Sequence, residues 1–178
     1  NIDVSLYTVT LEKLMDTVQA DIYSDSMQDA EEIQREIKEK IVILNLFIIV
    51  LMIFLTAFFV AAEFSLVKIR KSRLETLEKE NNKRAKLALN IVNHLDSYLS
   101  ACQLGITLTS LAIGWVGEST MHSILAPLLS YVPLPSALLD SLSIILAFLL
   151  ITFVHVVIGE LIPKSLSITK TEGVVLTV

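Results

Sequence analysis

A single cysteine, Cys102, stands among 178 residues, so no disulfide within the chain staples the fold. Charge is also scarce: 19% of residues are charged against 53% hydrophobic, and three long runs, Ile41–Ala62, Ser97–Gly117 and Ser141–Gly159, carry no Asp, Glu, Lys or Arg. A helix needs about 20 apolar residues to cross a bilayer, and each run meets or approaches that length, which excludes a soluble domain. The four prolines lie in two places, Pro127, Pro133 and Pro135 in a fourth uncharged stretch, 119–139, and Pro163 past the third run. With its prolines, Ser, Thr and His122, the fourth stretch reads as a re-entrant or interfacial hairpin rather than a span. There is no basic soluble face of the kind that grips nucleic acid, and no nucleophile beside a base, so no enzyme is expected. The first run is too long, and starts too far along the chain, for a secretory signal.

What is present predicts an all-α membrane protein in contact with a lipid bilayer. Its spans are 41–63, 97–117 and 141–160, with the hairpin at 119–139 and a juxtamembrane amphipathic helix over 68–95, together a membrane domain at 41–178. Lys68, Arg70, Lys71, Arg73, Lys79, Lys83, Arg84 and Lys86 outweigh Glu75, Glu78 and Glu80 beside the first span. The positive-inside rule places that loop in the cytoplasm, the N-terminus outside and, after an odd number of spans, the C-terminus inside. Leu74, Leu77, Ala85, Leu87, Ala88, Ile91, Val92 and Leu95 recur roughly at helical spacing among the charges, the pattern of a helix lying on the membrane surface. Residues 1–40 hold ten Asp/Glu against Lys13, Arg35, Lys38 and Lys40. Apolar residues at Leu11, Leu14, Met15 and Val18, and again at Ile33 and Ile37, predict partial helix in this acidic segment, with Asp29 placed to cap a second helix.

Polar residues inside the spans are the candidates for function. Asn45, Thr56 and Glu63 are separated by eleven and seven residues, which returns each to within about 20° of one helical azimuth. The stripe faces either a partner helix, as hydrogen-bonding glue, or a wet groove. Gln103, Thr107 and Ser110 share a face of the second span, where Gly105 and Gly114 allow close helix approach. Thr152, His155 and Gly159 share one on the third. There the stretch HVVIGELIPKS carries the carboxylate of Glu160 and then Pro163, which has no N–H and strips the hydrogen bond from the Gly159 carbonyl. A bare carbonyl beside a carboxylate suits a small hard cation. The competing reading is a helix that ends at the interface, with Glu160 paired to Lys164 one turn on.

Three motifs in order, TAFFVAAEFSLVKIRKSRLE, LSACQLGITLTSLAIGWVGE and HVVIGELIPKS, resemble the transmembrane domain of the cyclin-M/CorC family of magnesium and cobalt transport or efflux proteins, in its bacterial hemolysin-like branch. The resemblance covers 41–178. It implies a three-span domain that forms a homodimer and is followed, in full-length relatives, by cytoplasmic CBS domains that bind ATP-type nucleotides. No organic cofactor is expected in this chain itself. The resemblance further implies a transported Mg2+ or Co2+ held between the spans by Glu160, by Gln103 with Thr107, and by Glu63, with the Gly159 carbonyl beside them. Asn45, Thr56, Ser110 and His155 would support the pathway, and Pro163 with Lys164 would mark the helix break. This chain departs from many relatives at Val60, where they carry serine, and at Gln103 and Thr107, where they carry asparagine. The rival reading is a membrane-anchored Mg2+ sensor or regulatory scaffold that moves no ions.

Overall fold

The computed structural model describes the backbone of residues 4–178 and the side chains of residues 13–178 apart from Ala20 and Asp25. Every element is helical, and three helices, Lys13–Lys68, Leu95–Leu129 and Ser136–Thr169, are long and apolar enough to cross a membrane. The chain divides into two compact units, 1–43 and 44–178.

In the first unit the backbone is helical throughout its described part, as the beginning of α1 (Val4–Lys68). Asp29 sits inside that helix and caps no second one. Met15, Val18, Ile22, Ile33 and Ile37 are exposed; the Leu11 side chain lies outside the described residues. On the polar side Arg35 pairs with Glu39 at 3.3 Å and Lys40 with Glu36 at 2.8 Å, both one turn apart and solvent-facing. Such pairs add a few tenths of a kcal/mol each, about 0.3–0.5.

The second unit begins within α1. After α1 the chain forms α2 (Lys71–Lys79), α3 (Lys83–Asn93), α4 (Leu95–Leu129) and α5 (Ser136–Val154). A π-helical turn (His155–Leu161), α6 (Ile162–Thr169) and α7 (Thr171–Val175) complete it. The stretch 119–139 is the tip of a helical hairpin: the end of α4, which continues through Pro127, a turn at 130–135, and the start of α5. Ile49 and Ile53 of α1, Ile113 of α4 and Ile151 of α5 form the bundle core, flanked by Met52, Val116, Met121 and Val154. Lipid is as apolar as these side chains, so close packing rather than water exclusion must hold the helices together. Two glycines allow it. A Cβ at Gly105 would lie 2.6 Å from the Phe59 ring, and one at Gly117 would lie 2.6 Å from Ile151 Cγ1.

The amphipathic segment resolves into two helices, not one. Asn81 adopts φ 62, the left-handed conformation that asparagine tolerates better than other side chains. Asn82 then caps α3, its side-chain oxygen accepting from the N–H groups of Arg84 at 3.0 Å and Ala85 at 3.2 Å. Such a cap contributes about 1 kcal/mol. Leu74 and Leu77 of α2 and Ala85 and Ala88 of α3 close on Val175 of α7, a second core outside the bundle.

Candidate cation site

The Gly-Glu-x-x-Pro-Lys stretch does not end its helix as the proline suggested. Residues 155–161 widen into a π turn, and the helix runs on as α6, with Pro163 in its first turn. The change of register at the π turn accommodates the proline, which has no N–H to place in the ladder. The N–H of Ile162 donates to the Val157 carbonyl, five residues back. The Ile158 carbonyl thereby loses its usual partner, and the Gly159 carbonyl loses its own because Pro163 has no N–H. Two adjacent carbonyls, one more than the sequence suggested, therefore lose their α-helical donors in the turn that carries Glu160.

The wider turn also changes which side chains face one another. Residues five apart on an α-helix point about 140° away from each other, but the i to i+5 register of a π turn stacks them. His155 Nε2 accordingly lies 3.9 Å from Glu160 Oε1, with His155 buried and Glu160 41% exposed. Ser110 Oγ of α4 approaches the same ring nitrogen at 3.5 Å, the outer limit of a hydrogen bond. A Cβ on Gly159 would lie 3.0 Å from His155 Cδ2 and 3.6 Å from Thr56 Cγ2, so the absent side chain lets α1 and the ring close on this turn. Lys164 does not pair with Glu160; its Nζ sits 4.4 Å over the Phe64 ring of α1.

On α1 the stripe is Asn45, half-buried, then Thr56, fully buried, then Glu63, half-buried. Thr56 Oγ1 is 2.7 Å from Thr109 Oγ1 of α4, a hydroxyl pair inside the bundle. Each hydroxyl also reaches a carbonyl of its own helix, Thr56 that of Met52 at 2.9 Å and Thr109 that of Gly105 at 2.9 Å. Thr109 was missed by sequence reading, although it shares a helical face with the buried Cys102, Ile113 and Gly117. Gln103 and Thr107 are exposed instead. Gln103 Nε2 nevertheless donates to Glu63 Oε1 at 3.1 Å, joining α4 to α1. Thr107 returns its hydroxyl to the Gln103 carbonyl at 2.9 Å.

Most of the predicted residues thus fall into three groups: Glu63 with Gln103; His155, Ser110 and Glu160 around the π turn; and Thr56, joined to Thr109, next to Gly159. The Asn45 and Thr107 side chains join none of them. Among the described residues no three His, Cys, Asp or Glu side chains gather into a metal-binding cluster. The oxygen donors offered are instead carbonyls, hydroxyls, an amide and two separate carboxylates, a set suited to a hard cation rather than a thiophilic one.

Residues 47–178 match the family described as the cyclin M transmembrane N-terminal domain. The UPF0053 protein YrkA of Bacillus subtilis (strain 168) is 52% identical over 133 residues, 75% of this chain and 31% of the relative. YhdP of the same organism is 50% identical over 132 residues, 74% of this chain and 30% of its own length. The UPF0053 protein sll0260 of Synechocystis sp. is 39% identical over 131 residues, 74% of this chain and 29% of the relative. The chain spans less than a third of the length of each of these relatives. With its three apolar helices and the match over 47–178, it belongs to the cyclin M transmembrane N-terminal domain family.

Proposed function

We propose that this chain is the membrane domain of a divalent-cation transporter that carries Mg2+, and by similar oxygen chemistry Co2+, outward across the cell membrane. The observation that carries the reading is the π turn, which leaves the Ile158 and Gly159 carbonyls without their usual donors beside Glu160. Mg2+ takes six oxygens at roughly 2.0–2.1 Å and keeps several waters. Glu160 and the Gly159 carbonyl supply the core of the site. Glu63, Gln103 and Thr107 complete it from the other two spans, after Thr107 releases its hydroxyl from its own helix. Asn45, Thr56, Ser110 and His155 line the approach, and a proton or Na+ takes the place of the cation that has left.

The rest of the proposal follows the family. Two copies pair through their membrane domains, the N-terminus lies outside and the C-terminus in the cytoplasm, and CBS domains elsewhere in the full-length protein bind an ATP-type nucleotide. The second reading is a membrane-anchored Mg2+ sensor or regulatory scaffold that moves no ions.

Mg2+ flux in liposomes carrying the protein separates the two. Glu160→Gln should lower flux by roughly 10- to 100-fold, the scale on which even outer partners of metal sites act, with folding and dimerisation intact. Equal flux in wild type and variant would remove Glu160 from the pathway. No flux from the full-length wild type would favour the scaffold.

A further inference from the structure

The face of α2 and α3 that periodicity marks as apolar is not free to lie on lipid. It is covered by α7, which is fastened from both helices. Arg73 of α2 donates through Nε and Nη2 to the two carboxylate oxygens of Glu172, at 2.8 and 3.0 Å. Arg84 of α3 donates through Nη1 to the Leu176 carbonyl at 3.1 Å. What this segment leaves exposed is mainly charge. Lys68, Arg70, Lys71, Lys79, Lys83 and Lys86 are exposed, and among the described residues none of the six is in an ion pair.

Where α2 meets α3 an open cavity of about 700 Å3 is lined by Lys83, Lys86, Leu87, Asn90 and Asn93, with Glu78 also on its wall. Leu87 is 66% exposed beside the two lysines. We infer that this corner binds the headgroup of an anionic phospholipid from the surrounding bilayer. Lys83 and Lys86 take the phosphate, Asn90 and Asn93 donate hydrogen bonds to its ester and glycerol oxygens, and Leu87 meets the start of the acyl chains.

Two observations favour a lipid over a soluble anion. The segment is tethered at both ends to helices able to cross the membrane, one ending at Lys68 and the other beginning at Leu95. Short tethers on both sides hold the cavity at the bilayer surface. The exposed leucine beside two cations also suits a molecule that is charged at one end and apolar at the other, the pairing by which surface-bound helices hold anionic membranes. A free phosphate has no use for it.

Native mass spectrometry of the full-length protein, released from neutral detergent after incubation with equal amounts of dioleoyl phosphatidylglycerol and dioleoyl phosphatidylcholine, tests the inference. The wild type should retain the anionic lipid in preference. Lys83→Gln with Lys86→Gln should reduce that preference by roughly tenfold or more, since each lysine near an anionic surface contributes roughly fivefold. Lys83→Arg with Lys86→Arg should keep it, and Glu78→Gln, which takes a negative charge from the wall and no lysine from the site, should raise it. Lys38→Gln with Lys40→Gln, in the first unit, should leave it unchanged. Equal retention of the two lipids by the wild type, or an equal loss in the Lys38 and Lys40 variant, would overturn the proposal. Displacement of the lipid by millimolar inorganic phosphate would assign the corner to a soluble anion instead.

Discussion

The second unit has two cores built on different terms. In the bundle, Ile49, Ile53, Ile113 and Ile151 meet through shape, and the polar groups buried there are, besides His155, hydroxyls that reach carbonyls of their own helix. Around α7 the core is Leu74, Leu77, Ala85, Ala88 and Val175, bordered by Arg73, Glu172 and Arg84. A core that faces water is stabilised by apolar area withdrawn from it, roughly 25 cal/mol per Å2. Between lipid-facing helices that driving force is missing, so fit and small residues decide. A truncated side chain should therefore harm the outer core most, and an added methyl should harm the bundle most.

The largest expected effect is at Leu74, which is fully buried against α7. Leu74→Ala should destabilise the α2–α3–α7 cluster by about 2–5 kcal/mol, seen as faster amide exchange across the cluster with the bundle helices unchanged. Next are Gly105→Ala and Gly117→Ala, whose new methyl groups would enter Phe59 and Ile151 at 2.6 Å. Each should lower stability by about 1–3 kcal/mol in thermal denaturation in detergent. Gly114→Ala, with nothing within 4 Å of its Cβ, should be neutral or stabilising. If all three glycine variants behave alike, fit does not govern the bundle.

Thr109→Val should cost less, about 0.6–1.7 kcal/mol by the measure of hydrogen bonds between membrane helices. Because the pair spans α1 and α4, a double-mutant cycle with Thr56→Val should show coupling. Additivity in that cycle would make the 2.7 Å contact incidental. The smallest effect is a pH dependence of the outer core. The hydrogen bond from Arg73, reinforced by the guanidinium charge, holds the Glu172 carboxyl below the ordinary carboxylate range, and the same bond raises Arg73 further above any accessible pH. A carboxyl lowered in the folded state stabilises it above the unfolded carboxylate value, and that contribution fades as pH falls through the depressed value. Exchange in α7 should therefore quicken on acidification through that window, and Glu172→Gln should abolish the change. Both groups face solvent, so added salt should shrink the effect as well.

The spans were legible because an uncharged run of such length has few other uses. The basic segment was legible as amphipathic helix, but not as two helices. The break depends on one left-handed residue, Asn81, and the Asn-Asn pair around it also fits a helix surface. Nor was the cover over its apolar face visible, because α7 lies about a hundred residues further along the chain. The candidate site was legible by residue type and less so by direction. A threonine in a helix can return its hydroxyl to the carbonyl four residues back, as Thr107 does, so it is not forced inward to find a partner. The presence of hydroxyls every few residues on α4 therefore did not separate the outward Thr107 from the inward Thr109. The proline was read as a break because helix rules allow one there. Neighbouring contacts accompany the continuation: Ser167 of α6, whose hydroxyl donates to the Pro163 carbonyl of its own helix at 2.7 Å, lies 3.1 Å from the Ala61 carbonyl of α1, and Lys164 covers Phe64.

In the register of the chain, the π turn amounts to one residue more than an α-helical ladder would hold between Val154 and Ile162. Each residue of an α-helix advances the chain by about 100°. Winding the same residues as unbroken α-helix would swing everything after the turn by that angle, carrying Pro163, Lys164 and Ser167 away from α1 together, whereas taking one residue out of 156–160 would straighten the turn and leave them facing α1. The extra residue thus acts as an indexing step. It sets which face of the last membrane helix meets the first.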